Sequence, residues 1–167
     1  MRILGLDPGS RVTGYGIVES GSGGTLRAVR FGTIVPPRNL DFLARLPHIA
    51  GAIDALLAGE RLDGAAIEDI FLARNTRVAL QLGQVRGAAL VPILRVGLEV
   101  HAYAPRAVKK AVAGYGAAEK EQVRRMVRLL LGLREGPMTL DASDALAVAI
   151  CHAHAHTSSR LREAAQA

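Results

Sequence analysis

Apolar residues in the first third of the chain come in short runs. Residues 2–7 and 12–19 are apolar or alternating, with the turn composition Asp7-Pro8-Gly9-Ser10 between them, and after Ser20-Gly21-Ser22-Gly23-Gly24 a third run covers 26–35. Period-two runs bounded by Gly, Pro and Ser predict strands, here three in an antiparallel meander. Pro36-Pro37 ends it. Leu43, Leu46, Ile49, Ala50, Ile53, Leu56 and Leu57 then recur at helical spacing up to Gly59, with Pro47 inside the pattern as a predicted kink or restart. A buried fourth strand is predicted over 62–70. Residues 75–95 read as a long helix whose Val78, Leu82, Val85 and Ala89 share a face. A fifth strand over 98–103 leads to a helix opened by Pro105 and closed at Gly114. Two more helices, over 118–131 and from about 140 into a His-rich end, complete an α/β domain with a five-stranded mixed sheet flanked by helices.

The chain of 167 residues is half hydrophobic and 22% charged, which suits one core and excludes both disorder and a two-domain architecture. We expect a single domain over 1–157 and a flexible tail over 158–167. No apolar run approaches the roughly 18 residues of a membrane span, and the amino end lacks a signal-peptide pattern. A soluble, cytoplasmic protein with no membrane partner is expected. Cys151 is the only cysteine, so no internal disulfide can form, and the His152-Ala153-His154-Ala155-His156 stretch reads as a solvated helix end. Net charge is +6, distributed unevenly: residues 1–70 sum to −1 and residues 71–167 to +7. A basic second half attracts polyanions, although arginine-rich composition alone accounts for it about as well.

Four acids stand where acids are unexpected. Asp7 ends an otherwise apolar strand beside a glycine-bearing turn that leaves room for a ligand; a turn-initiating Asp is the plainer reading. Glu68 follows Ala65-Ala66-Ile67 in a strand predicted to be buried, where an unpaired carboxylate needs a cation, unless it merely ends the strand in solvent beside Asp69. Asp141 and Asp144, three apart, share one face at the start of the last helix. Capping explains Asp141, but Asp144 falls among Ala142, Ala145, Leu146 and Ala149, an inward surface. Together the four form what hard divalent cations need: oxygen ligands from separate elements, held by a rigid sheet.

Ile3-Leu4-Gly5-Leu6-Asp7-Pro8-Gly9 with Thr13-Gly14-Tyr15-Gly16, Ile67-Glu68-Asp69-Ile70-Phe71, Leu82-Gly83-Gln84-Val85-Arg86-Gly87, Ala117 to Val123, and Asp141-Ala142-Ser143-Asp144-Ala145-Leu146-Ala147 closely resemble the RuvC family. The match runs in order from Met1 to about His154. This resemblance implies a ribonuclease H-like fold, a homodimer, and cleavage of four-way junction DNA by two symmetric nicks that leave 5′-phosphate and 3′-hydroxyl ends. It implies two magnesium ions per active site, with manganese able to substitute, and work beside the RuvA and RuvB branch-migration proteins. Asp7, Glu68, Asp141 and Asp144 match the family's catalytic, metal-holding acids. Phe71 matches an aromatic used against unstacked bases, and Lys109 and Lys120 match basic positions near the cleaved backbone. Arg74 and Arg77, at a helix start where cations are unfavourable, are read as DNA contacts, with surface charge of no role as the alternative.

Gly83 and Gly87 on the 75–95 helix are candidates for a close helix approach across a dimer interface, or for packing within one chain. Three other readings differ in kind. They are a ribonuclease H-like enzyme acting on RNA, a nucleotide-binding fold of the actin and sugar-kinase type, and an inert junction-binding protein. The length opposes the second and the presence of all four acids opposes the third.

Overall fold

The computed structural model describes residues 1–69 and 75–166. β1 (Arg2–Asp7), β2 (Thr13–Ser20) and β3 (Leu26–Ile34) form the meander, followed by α1 (Phe42–Gly59), β4 (Gly64–Glu68), α2 (Thr76–Arg95), β5 (Val100–Tyr103), α3 (Pro105–Ala113), α4 (Lys120–Leu130) and α5 (Leu140–Gln166). The sheet order is β3-β2-β1-β4-β5. The meander pairs are antiparallel, whereas β1–β4 and β4–β5 are parallel, so the sheet is mixed.

Alternation along the strands sorts side chains into two cores. Leu4, Leu6, Ile17, Ala65 and Ile67 face α1 and α2, meeting Ile49, Ile53, Leu56, Val85, Ala89 and Ile93. Ile3, Val18 and Ala66 face the other way, onto α3, α4 and α5. The result is a three-layer α/β/α domain. α1 is long and apolar enough by composition to cross a membrane, yet its Ile49, Ile53 and Leu56 are buried against the sheet.

The chain departs from expectation in two places. Pro47 does not restart α1, which continues across it. Its ring is exposed, and the carbonyl of exposed Leu43, four residues earlier, can be solvated instead of receiving the missing N–H. Of the three histidines in the 152–156 stretch, His156 is exposed as a solvated end would be, but the other two are not. His152 is 6% exposed and shares a 2.8 Å hydrogen bond with the Tyr103 hydroxyl, while His154 Nδ1 lies 3.2 Å from the Ala111 carbonyl oxygen. Burial, with help from His101, pushes the His152 imidazole down to about 4. The backbone over 158–166, where a tail is expected, is helical.

Candidate active site

The site is built where α5 presses onto the sheet. Ile3, Gly5 and Asp7 share one face of β1, and at Gly5 a Cβ would collide with the Ala145 carbonyl oxygen. Gly14 stands directly opposite Asp7 on β2, and a Cβ there would collide with the Asp141 carbonyl oxygen. Gly16 likewise leaves room for Leu146, whose Cδ2 would lie 2.7 Å from a Cβ. Three glycines thus set α5 directly on the strand backbone, which carries Asp141 and Asp144 to the end of β1.

β4 contributes the fourth acid. Leu6 is in register with Ile67, so Asp7 and Glu68 are the next residues on neighbouring parallel strands, on the same face as Gly5 and Ala66. The α5 amino end is capped by Thr139, whose Oγ1 accepts from the Ala142 N–H at 3.2 Å. The Asp141 carboxylate is therefore not needed as the cap, which removes the structural explanation that the sequence offered for it. Asp144 is about one-fifth exposed, at the mouth of the buried helix face.

Two lysines close the opposite wall. Glu119 and Gln122 form a capping box at the start of α4, so Lys120 is its first residue. Its Nζ lies 3.2 Å from Asp144 Oδ2. Lys109 on α3 joins Lys120, Glu68 and Asp144 in lining a cleft of about 270 Å³, with Pro105, Val108, Val123 and Ala147 as its apolar part.

The electrostatics record the crowding. Burial and the nearby Glu68, Asp144 and Asp141 push the Asp7 carboxyl up to about 7, against the lowering influence of Lys120. Glu68 is raised by burial and by Asp144, opposed by Lys120 and Lys109. Lys120 is itself raised, chiefly by Asp144. More negative charge is gathered than the two lysines offset, and all the donors are hard oxygens. Those features fit a divalent cation such as magnesium. No group of three or more His, Cys, Asp or Glu side chains among the described residues is tight enough to hold a metal unaided. That openness suits an ion that keeps several waters and takes substrate phosphate oxygens as further ligands.

The structure thus brings Asp7, Glu68, Asp141, Asp144, Lys109 and Lys120 to one end of the sheet. Arg77 is exposed in the first turn of α2, where the Asn75 side chain accepts from the Arg77 and Val78 N–H groups. Phe71 and Arg74 lie outside the described residues. Sequence reasoning missed Thr139 as the cap and Arg86 as a brace: from α2, Arg86 reaches Asp69, next to Glu68, at 3.6 Å. The signal for the first was a Thr three residues before the first buried residue of α5.

The family model for the crossover junction endodeoxyribonuclease RuvC matches residues 3–152. A RuvC from Syntrophomonas wolfei is 45% identical over 98% of this chain and 94% of its own length. One from Citrifermentans bemidjiense is 52% identical over 92% of this chain and 93% of its own. Among solved structures, RuvC from Thermus thermophilus in complex with a Holliday junction substrate superposes with a TM-score of 0.87 at 34% identity, covering 95% of this chain and 96% of that one. The glycine-seated helix and the acids it carries to the first strand thus come with a match along nearly the whole chain, and the protein belongs to the RuvC family of crossover junction endodeoxyribonucleases.

Proposed function

We propose that this protein is a Holliday junction resolvase, a metal-dependent endodeoxyribonuclease that cuts two symmetry-related strands of a four-way DNA junction in recombination and repair. The observation that carries the reading is the convergence of Asp7 and Asp141 on Glu68 and Asp144, from two strands and a helix, where Glu68 and Asp144 line one cleft with Lys109 and Lys120. Those four carboxylates would hold two magnesium ions, or manganese in their place. When bound, the ions supply a more acidic attacking water and neutralise charge on the departing oxygen. Attack of water oxygen on phosphorus with loss of the 3′ oxygen leaves a 5′-phosphate and a 3′-hydroxyl, which a ligase can seal.

The chain's own residues do the rest. Lys109 and Lys120 offset charge on the scissile phosphate and draw the backbone into the cleft. Asp7, held between Gly14 and α5, has little freedom to turn away from the reacting phosphate. Phe71, three residues beyond Glu68 in sequence, stacks on an exposed junction base, and Arg74 and Arg77 contact the backbone beside it.

Two cuts need two sites, and a second copy related by a two-fold axis supplies the other. The outer face of α2 is the surface for it. Among the described residues a Cβ at Gly83 or Gly87 would meet nothing within 4 Å, which favours an approach from outside the chain over packing within it. The partners are cytoplasmic junction DNA and, by family, RuvA and RuvB.

The deciding experiment incubates the protein with a labelled synthetic four-way junction and with linear duplex of the same sequence, in magnesium and in chelator. Paired, ligatable nicks confined to the junction with magnesium are expected, and lost in Asp7→Asn. Equal cleavage of the duplex, or cleavage of RNA in preference to junction DNA, would end the resolvase reading.

A further inference from the structure

Residues 1–70 hold seven arginines yet sum to −1, so no basic surface is legible in that half of the chain. Folding gathers three of the seven. Arg11 in the β1–β2 loop, Arg38 between β3 and α1, and Arg45 in the first turn of α1 line a single cavity of about 480 Å³ whose other walls are Val12, Val35 and Pro36. No carboxylate lines it. Among the described residues none of the three forms an ion pair, in contrast to Arg2 and Arg27, which both pair with Glu19. Arg45 Nε donates to the Leu40 carbonyl oxygen at 2.9 Å, which orients its guanidinium, while Arg11 and Arg38 are exposed.

The cavity's place in the sheet is informative. Asp7 faces Gly14 and Thr13 faces Ile34, so the β1–β2 loop and the end of β3 share the sheet end that carries the acids. The loop is held in shape: the Thr13 hydroxyl donates to the Gly9 carbonyl oxygen at 3.0 Å, and the Gly9 N–H donates to Thr13 Oγ1 at 3.3 Å. Arg11 follows Asp7 by four residues, which limits their Cα separation to roughly 14 Å. At about 3.4 Å per step along a strand, that is within about four nucleotides of a phosphate seated at Asp7. The sheet order sets β2 and β3 on one side of β1, and β4 and β5, which leads into the Lys109 helix, on the other.

We infer that Arg11, Arg38 and Arg45 form a phosphate-binding subsite for DNA backbone flanking the cut, on the far side of Asp7 from Lys109 and Lys120. Guanidinium forks match phosphate oxygens in pairs, and the Val12, Val35 and Pro36 floor suits the sugar between two phosphates. The inference rests on the junction-cleaving reading above, and its test separates the two.

Junction affinity is measured against salt concentration in chelator, where no cleavage competes, for wild type, Arg11→Ala/Arg38→Ala, Arg11→Lys/Arg38→Lys and Arg61→Ala. Arg61 is an exposed arginine before β4, at the opposite end of the sheet, and controls for loss of charge as such. Each lost phosphate contact lowers the slope of log affinity against log salt by about 0.9, so the double alanine variant is expected to lose close to two in slope, with weaker binding at every sequence. The lysine pair should retain most of the slope, and Arg61→Ala should match wild type. Because Arg11 and Arg38 make no side-chain bond among the described residues, folding is unaffected, which a melting curve checks. A double alanine variant indistinguishable from Arg61→Ala, in a protein that still nicks junctions with magnesium, overturns the subsite and leaves the resolvase reading intact. A wild type that neither binds nor cuts junctions overturns both.

Discussion

At the scale of single residues, Asp7 is the acid on which burial and three neighbouring carboxylates converge. Its carboxyl is unfolded-like at 3.8 in the open chain and near 7 when folded, so between those values the folded state holds the extra proton. Stability contributed by that proton is fully present below 3.8, falls as pH rises, and is gone above about 7. The full difference is on the order of 4 kcal/mol. Metal-free Asp7→Asn is therefore expected to melt several degrees above wild type at pH 8 and near it at pH 4, while losing all junction cleavage. Magnesium should raise the wild-type melting temperature at pH 8 and leave the variant's unchanged. Calorimetry at the two pH values checks this, and a variant less stable at pH 8 would contradict the charge crowding. Lys120 is the counterweight, since it lowers both Asp7 and Glu68. Lys120→Ala should move the acid limb of the cleavage pH profile upward and slow single-turnover cutting roughly 10²-fold, the scale of one lost charge-stabilising donor. Lys120→Arg should recover part of it. An unshifted profile would assign Lys120 to the surface only.

At the scale of elements, the strands and helices were legible from periodicity because their apolar positions repeat without interruption, and Asp7, Glu68 and Asp144 stood out against apolar neighbours. What was not legible was contact between elements. Gly5, Gly14 and Gly16 look like weak strand residues in isolation, and only the seated helix shows that they are there for α5. The same holds for His152, whose partner Tyr103 is 49 residues away, and for Arg11, Arg38 and Arg45, which charge summed along the chain conceals. Pro47 misled because exposure, which periodicity cannot give at one position, decides whether the orphaned carbonyl is solvated. Gly14→Ala follows from the close approach. The added Cβ must displace α5 backbone, a strain of about 1–3 kcal/mol, and the displacement moves Asp141 and Asp144 away from Asp7. Cleavage should fall by far more than the melting temperature implies, whereas Gly51→Ala, in α1 with open space around it, should stabilise slightly. Comparing cutting rates of the two variants at a temperature where both are folded checks the point.

For the whole molecule, the outstanding surface is the outer face of α2. Leu80, Val91 and Leu94 are 66%, 58% and 58% exposed. At 100° per residue they fall on one stripe with Gly83, Gln84 and Gly87, opposite the buried Val85, Ala89 and Ile93. Three large apolar side chains on one exposed line, with glycines between them, suit the proposed dimer: in it the leucines would overlap at the ends and the glycines would let the backbones approach at the crossing. A Gly87→Glu substitution adds a charge at the proposed crossing without touching the chain's own core, because among the described residues nothing lies within 4 Å of the new Cβ. The expected outcome is a folded monomer by sedimentation, with a melting temperature now insensitive to protein concentration. Its nicks should be single and uncoordinated, because the acids of each copy are complete within one chain while pairing of the cuts is a property of the dimer. Unpaired nicks from a monomer would separate catalysis from symmetry, whereas a Gly87→Glu protein that remains dimeric would move the interface to another face.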